Sequence, residues 1–412
     1  MSEPEALRFD IIVSGGSFIG QAAALALVRS LGPGLRVALI DEAKAEAADD
    51  VRASAITAGS KRLLDAIGAW ADIAAHAQPV LRIALTDSRL DAGVRPILTT
   101  YDNLLDGDEP ASFIVPNRAL DDALASAVAA TPDITIHRGR AVDLKADGVA
   151  DAVVTLETGE RLAAPLVVAA DGRRSRLREA AGIGVVTWGK GQTGIVTRVR
   201  IELPHDATAT QHFLPSGPFA ILPLPGDRAC ITWSERADTA REILAMDDAA
   251  FLAEIDRRAG GRFGVLTLDG PRQSWPLSTQ LARAYVARRL ALVGDAVHGV
   301  HPIAGQGINL GLRDVAALVE VLVDAARVGL DLGDATTLAR YERWRRFDSW
   351  MSAATFEGLN RLFSNDITLL RSIREAGLGL VDRMPGLKRL LVREAAGLTG
   401  RVPMLLKGEV PC

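Results

Sequence analysis

The chain has 412 residues, 48% of them hydrophobic, and a formal net charge of −4. That length exceeds what one core ordinarily fills, so two domains, or one domain with a large insertion, are expected, while the slightly acidic balance argues against nucleic acid, which calls for a basic face. Only Cys230 and Cys412 are present, far apart in sequence, which argues against a disulfide framework and fits a reducing cytoplasm.

The opening MSEPEALRFD is acidic and lacks the basic n-region of a secretion signal. Ile11 to Val28 carries no charge over eighteen positions, nominally the length of a membrane span. Three glycines, two serines and a glutamine interrupt it, and a strand, turn and helix account for it better. Phe9 to Val13 is a short β run, Gly15, Gly16, Ser17 and Gly20 form a turn, and an Ala- and Leu-rich helix runs to about Leu31. A second strand, Arg36 to Ile40, ends at Asp41. This order is the dinucleotide fingerprint: the turn lets a pyrophosphate meet the helix N-terminus, and the acid accepts hydrogen bonds from ribose hydroxyls. Ser17 stands where the middle glycine is usual, which predicts tighter geometry and weaker cofactor binding.

Further on, Asp50 to Ile56, containing Arg52, leads to a helix over Gly59 to Ile67. Ile83 to Tyr101 reads as hairpin material and Leu104 to Pro110 as an acidic loop. Ser112 to Leu120 enters a helix through Leu124 and Val128, with Arg118 at its start. On residue types alone, Arg52 can also be read as an exposed charge on the approach to a helix, and Asn117-Arg118 as helix-capping residues. Short strands follow at Ile134 to Ile136, Ala141 to Leu144, Val153 to Glu157 and Leu166 to Ala169. The last opens on Asp171, Gly172 and four arginines (Arg173, Arg174, Arg176, Arg178), suited to meet phosphates, although a basic surface helix start explains such a run as well.

Between Gly184 and about Pro276 period-two runs and the turns Pro215-Ser216-Gly217 and Pro225-Gly226-Asp227 indicate antiparallel sheet. Then comes the least ordinary stretch, Leu292 to Asp314, with five glycines in eighteen residues (Gly294, Gly299, Gly305, Gly307, Gly311). Such density suits a backbone lying close against a ligand, and the apolar spacing of Val315, Leu318, Val319, Leu322 and Val323 predicts a helix whose N-terminus favours an anion. His298 and His301 stand three apart, but no cysteine or second acid cluster completes a ligand set, so no metal is expected. After Trp350 the tail reads as mostly helical. Its segment Leu378 to Leu391, with Arg383, Lys388 and Arg389, is basic and amphipathic, which suits a membrane surface, the protein's own body or a second subunit.

The run Gly294-Asp295 followed by His301-Pro302-Ile303-Ala304-Gly305-Gln306-Gly307-Ile308-Asn309-Leu310-Gly311-Leu312-Arg313-Asp314 resembles the signature of the aromatic-ring hydroxylases of ubiquinone biosynthesis, a branch of the FAD-dependent class A monooxygenases. Trp188, Gln192 and Phe213 to Leu224 resemble that family's substrate-domain landmarks, and the likeness extends to about residue 350. It implies an α/β fold of the para-hydroxybenzoate-hydroxylase type: a discontinuous Rossmann-like FAD-binding domain (1–75, 105–183, 281–355), an antiparallel substrate-binding sheet (76–104, 184–280) and a helical C-terminal region (356–412). It implies FAD held by Gly15, Gly16, Ser17, Gly20, Asp41, Arg52, Arg118, Asp171, Gly172, Gly294, Asp295, Gly305, Gly307, Ile308 and Asn309. Pro302, Gly305 and Gln306 then lie beside the reactive flavin edge, and no catalytic base is named. NAD(P)H is implied as a visiting reductant, O₂ as co-substrate through a C4a-hydroperoxyflavin, and a polyprenylated phenol or quinol as the molecule hydroxylated. The place to expect the protein is the cytoplasm, peripheral on the inner membrane face, as a homo-oligomer or within a ubiquinone-biosynthesis complex. Two alternatives stay open: another phenol as substrate, and a non-hydroxylating FAD-binding accessory protein.

Overall fold

A computed structural model of the chain describes residues 5–42, 50–87, 99–147, 150–299, 306–348 and 392–412. The charge-free opening run forms strand Ile11–Ser14 and helix Phe18–Leu31. Around that strand a six-stranded sheet is ordered Val286–Ala287, Leu290–Leu292, Leu166–Ala169, Ile11–Ser14, Val37–Asp41, Ile134–Arg138, parallel except at its first pair. Parallel strands are covered on both faces, and this is why Ile11, Ile12, Val13, Val167 and Val168 form continuous apolar runs with no solvent exposure. Helix Phe18–Leu31 packs against helix Gln306–Arg327, its alanines allowing close approach. The second helix begins at Gln306, nine residues before Val315, the first of the apolar positions whose spacing predicted it.

The second large sheet has nine strands, with Gln273–Ala282, Val185–Ile201, Arg228–Arg236, Gly217–Leu224 and Thr208–Leu214 as consecutive antiparallel neighbours. Strands Arg82–Asp87 and Thr99–Asp102 extend it beyond Thr208–Leu214. Period two sorts its side chains. Ile195, Val199, Phe219, Ile221, Ile231 and Trp233 pack with Ile243, Phe251 and Ile255 of two helices, Ala237–Leu244 and Asp248–Ala259. The sequence reading treats this whole region as strands, and these two helices correct it. Local chemistry explains the second: the Asp247 carboxylate caps it by accepting from the Ala250 amide at 2.8 Å, and Gly260 ends it in the left-handed region at φ 75°.

A small sheet, Ala53–Thr57, Ser112–Pro116 and Gln78–Val80, joins the two large ones; with Val51, Val80 and Ile114 it contributes to an apolar cluster that includes Val196, Leu224 and Cys230. Burial pushes the Cys230 thiol up to about 12, so it packs as a neutral group. At the C-terminal end, Leu405 and Leu406 are buried in the principal core, Arg313 donates to the Thr399 carbonyl at 3.0 Å, and the Gly59 amide donates to the Ala396 carbonyl at 3.2 Å. Residues 392–412 are thus docked on helices Ala58–Ala66 and Gln306–Arg327, whereas the amphipathic segment Leu378 to Leu391 lies outside the described residues. Among the described residues no helix is long and apolar enough to cross a membrane.

Candidate functional site

A cleft of about 540 Å³ lies where the first sheet's glycine turn meets the open face of the nine-stranded sheet. Ser17, Phe18 and Ile19 form one wall, Arg52 and Ser54 another, and Val196, Ala220, Leu222 and Thr232 a third, with Gly172, Asp295, Gly307 and Ile308 between them.

The turn is built by steric exclusion. Gly15 has φ 121°, and a Cβ there would lie 2.3 Å from the Ala170 carbonyl oxygen. At Gly20 it would lie 1.7 Å from the Gly15 oxygen, and at Gly16 2.0 Å from Asp41 Oδ1. Ser17, by contrast, is in extended backbone at φ −98°, so a side chain there brings no strain, contrary to the expectation of tighter geometry. Its hydroxyl makes no capping bond. The first intrahelical bond runs from Gln21 N to Ser17 O at 3.0 Å, so the amides of Phe18, Ile19 and Gly20 precede it and point out of the helix end.

The other expected residues divide. Asp41 ends its strand beneath Gly16 and is ion-paired with Arg138 of the neighbouring strand. Arg52 borders the cleft with its guanidinium held by both oxygens of Asp50, at 2.7 and 2.6 Å. Arg118 is exposed, 3.6 Å from Asp122, and is not part of the cleft wall; the adjacent Asn117 is, accepting from Ser54 Oγ at 2.8 Å. Ser54 carried no sequence signal, and Asn117 only that of a helix-capping residue, whereas in the structure it is the first residue of its helix and that helix end has no side-chain capping bond.

Asp171 Oδ2 accepts from the Arg176 amide at 3.0 Å and the Leu177 amide at 3.4 Å, which makes it the organiser of helix Arg176–Ala180. Burial raises its carboxyl above the ordinary 3.8, opposed by Ser175 and the backbone donors. Two of the four arginines do not reach outward. Arg178 is buried and donates to the Ala296 and Arg173 carbonyls at 3.0 and 2.9 Å, and burial lowers its pKa. Arg173 donates to the Ser278 carbonyl and hydroxyl at 2.6 and 2.8 Å, while Arg174 and Arg176 are exposed.

Gly294 opens a 3₁₀ turn at φ 61°, where a Cβ would stand 3.1 Å from Ile19, and at Gly311 it would stand 2.8 Å from the same side chain. These two glycines let the Asp295 turn, the first helix and helix Gln306–Arg327 converge. Asp295 is reached by solvent through the cleft and is walled by protein elsewhere. Burial raises its carboxyl above 3.8, with His298 and Arg173 pulling it back. Asn309 does not form part of the cleft wall: its amide donates to the Ala55 carbonyl at 2.7 Å and accepts from the Thr57 amide at 3.0 Å, pinning the helix to strand Ala53–Thr57. His301, Pro302 and Gly305 lie outside the described residues; Gln306 is the first residue of its helix, its side chain also outside them.

Beneath the turn is a cluster that motif reading missed. Asp314, with no solvent exposure, accepts from the Gly294 amide at 3.0 Å, binds His298 Nε2 at 2.5 Å and accepts from Arg345 Nε at 2.8 Å. Burial alone would raise this carboxyl; the charges of His298 and Arg345 outweigh it and hold it below 3.8. Tyr341 Oη adds a bond to the Leu292 carbonyl at 2.7 Å. His298 is therefore committed to a carboxylate within the fold.

A glycine turn at the head of a buried parallel sheet, an acid at its second strand end, a second acid in the cleft and an antiparallel sheet opposite define a dinucleotide-cofactor oxidoreductase of the para-hydroxybenzoate-hydroxylase type. The chain belongs to the FAD-dependent class A monooxygenases that include the hydroxylases of ubiquinone biosynthesis. The family model described as an FAD binding domain matches residues 8–351. The ubiquinone hydroxylase UbiL of Rhodospirillum rubrum is 44% identical over 409 residues, covering 97% of this chain and 92% of that protein. The 3-demethoxyubiquinol 3-hydroxylase of Escherichia coli is 34% identical over 397 residues, covering 94% and 98%. In fold, p-nitrophenol 4-monooxygenase PnpA from Pseudomonas putida superposes with a TM-score of 0.78 at 18% identity, over 97% of this chain and all (100%) of that one. The residues fit FAD: a turn with no room for a Cβ at Gly15, Gly16 or Gly20, a 14-residue helix presenting its first amides, and an acid in the cleft. The protein is an FAD-dependent monooxygenase.

Proposed function

We propose that the protein hydroxylates the aromatic ring of a polyprenylated phenol or quinol on the route to ubiquinone. The observation that supports this most is the end-to-end likeness to UbiL, a protein named as a ubiquinone hydroxylase, at 97% coverage of this chain. The cleft agrees in character: Val196, Ala220, Leu222 and Trp275 offer apolar surface, with Gln211, Thr232 and Ser234 as polar groups among them.

Bound FAD supplies the redox and oxygen-activating chemistry, so that one oxygen atom of O₂ enters the ring and the other leaves as water, with NAD(P)H as the electron donor. The chain's own residues bind, orient and exclude water. The turn of Gly15, Gly16, Ser17 and Gly20 faces the pyrophosphate with the amides of Phe18 to Gly20, and Asp41, steadied by Arg138, receives ribose hydroxyls. Asp295 accepts from the ribityl chain, Arg52 lies along the cofactor, and Asn309 acts by holding helix Gln306–Arg327 at its station. Asp171 and Gly172 shape the turn beside the cleft, while Arg118 contributes charge from outside it. Pro302, Gly305 and Gln306 are the residues assigned to the flavin edge. In this reading the divisions 1–75, 105–183 and 281–355 carry the cofactor, 76–104 and 184–280 the substrate. The basic pattern of Leu378 to Leu391 serves contact with the inner membrane face, where a polyprenyl substrate resides.

Purified protein should be yellow, and should oxidise NAD(P)H with O₂ and a short-chain polyprenylphenol to give a product heavier by one oxygen. NAD(P)H consumption that yields only peroxide with every polyprenylphenol, or hydroxylation confined to small soluble phenols, would overturn the proposal.

A further inference from the structure

Gly194 sits inside the 17-residue strand Val185–Ile201, where a glycine weakens a strand and commonly marks a close approach by another group. The approaching group is Trp275, its cross-strand neighbour on Gln273–Ala282. A Cβ at Gly194 would lie 3.3 Å from both Cε2 and Nε1 of the indole and 3.0 Å from Leu277 Cδ2. The indole therefore lies down against the strand's backbone, and both residues border the cleft. Its back packs on the apolar cluster of Val196, Leu224 and Cys230.

The indole nitrogen is the second observation. Trp233 Nε1 donates to Glu235 at 3.3 Å and Trp344 Nε1 donates to the Arg401 carbonyl at 3.3 Å. Trp275 Nε1 has no acceptor among the described residues, and the half-buried indole stands in the cleft wall, where its donor is available to a ligand. A flat apolar face and a single donor at its edge suit a planar ring that carries both an apolar chain and oxygen substituents.

We propose that Trp275 is the specificity-determining residue for the ring: its face forms a wall of the ring slot and its Nε1–H donates to a ring oxygen, with Gly194 present so that the indole can lie flat. This rests on the reading of the cleft as the site of a polyprenylated phenol. The donor selects an oxygenated ring over an equally apolar one and orients it, while the cofactor-binding residues are untouched.

The test uses FAD-loaded full-length protein with a short-chain polyprenylphenol in detergent. Trp275→Phe keeps a flat face and loses the donor. It should raise KM about fivefold, the loss of one hydrogen bond, and increase the peroxide released per NAD(P)H, while FAD affinity and the visible flavin spectrum stay unchanged. Gly194→Ala, which keeps every cleft side chain but lifts the indole, should move both quantities the same way, and it carries the test if Trp275→Phe does not hold FAD. Wild-type protein that hydroxylates no polyprenylphenol overturns the reading of the site and this inference with it. Wild-type turnover with both variants within twofold in KM and coupling overturns the inference alone.

Discussion

Replacing Asp314 by alanine should do more damage than replacing any residue in the cleft wall. The carboxylate has no solvent exposure and serves three donors from three elements: the Gly294 amide at 3.0 Å, His298 Nε2 at 2.5 Å and Arg345 Nε at 2.8 Å. Removing it leaves Arg345, itself fully buried, short of a counter-charge, with Asp348 at 2.9 Å as its remaining carboxylate in this cluster. It also strips His298 of the bond to Nε2 when Nδ1 already has no partner among the described residues. Breaking a buried pair from one side costs about 3–5 kcal/mol, and the orphaned Gly294 amide adds to this without simple additivity. The expected loss is about 4 kcal/mol, a large share of the roughly 5–15 kcal/mol that holds a domain together. Urea unfolding of the FAD-free protein, followed by far-ultraviolet circular dichroism, measures it. Arg345→Met in the same background should recover part of the loss, because the uncompensated charge is then gone. A loss under about 1 kcal/mol, or a double variant no more stable than Asp314→Ala, would refute the reasoning.

Because His298 and Arg345 hold Asp314 below 3.8, its contribution to stability is complete above that pH and is lost as pH falls through the depressed value; acid unfolding monitored below pH 3.8 should be shallower in Asp314→Asn. Asp295 has the opposite sign. Its raised carboxyl makes the ionised form a cost to the FAD-free fold at neutral pH, relieved as the group protonates, so Asp295→Ala should leave that fold at least as stable while weakening FAD binding about tenfold or more, the worth of a hydrogen bond to a charged group. Calorimetric titration with FAD that finds unchanged affinity would contradict the ribityl assignment. Ser17→Gly should bind FAD as well as the parent or better, since the serine makes no capping bond; Gly20→Ala should lose FAD, its Cβ falling 1.7 Å from the Gly15 oxygen, as read by flavin fluorescence.

What the sequence determined was local: the turn at Gly15 to Gly20, the Asp171-Gly172 turn and the Gly294-Asp295 step are legible because Gly15, Gly172 and Gly294 take positive φ, a demand of their own backbone, and Asp41 is legible as the acid at a strand end, whereas the groups that exclude a Cβ at Gly15 and Gly294, Ala170 and Ile19, come from distant parts of the chain. The same locality explains the readings that tertiary structure revised. Asn309 looks like a cofactor ligand within its motif, yet its amide is bonded to backbone 254 and 252 positions away. Arg173 and Arg178 look like phosphate binders, yet their partners Ser278 and Ala296 arrive from another part of the chain. Period two indicated the strands of the nine-stranded sheet, but only packing shows which alternate set faces the helices and which faces the cleft. Asp314, His298 and Arg345 form a cluster only when the turn, a short strand and the helix over 335–348 meet, and Trp275 becomes significant only once Gly194 lies across from it. Conformation at a turn depends on a residue and its neighbours, whereas the role of a buried charge or a flat indole depends on what the fold sets against it.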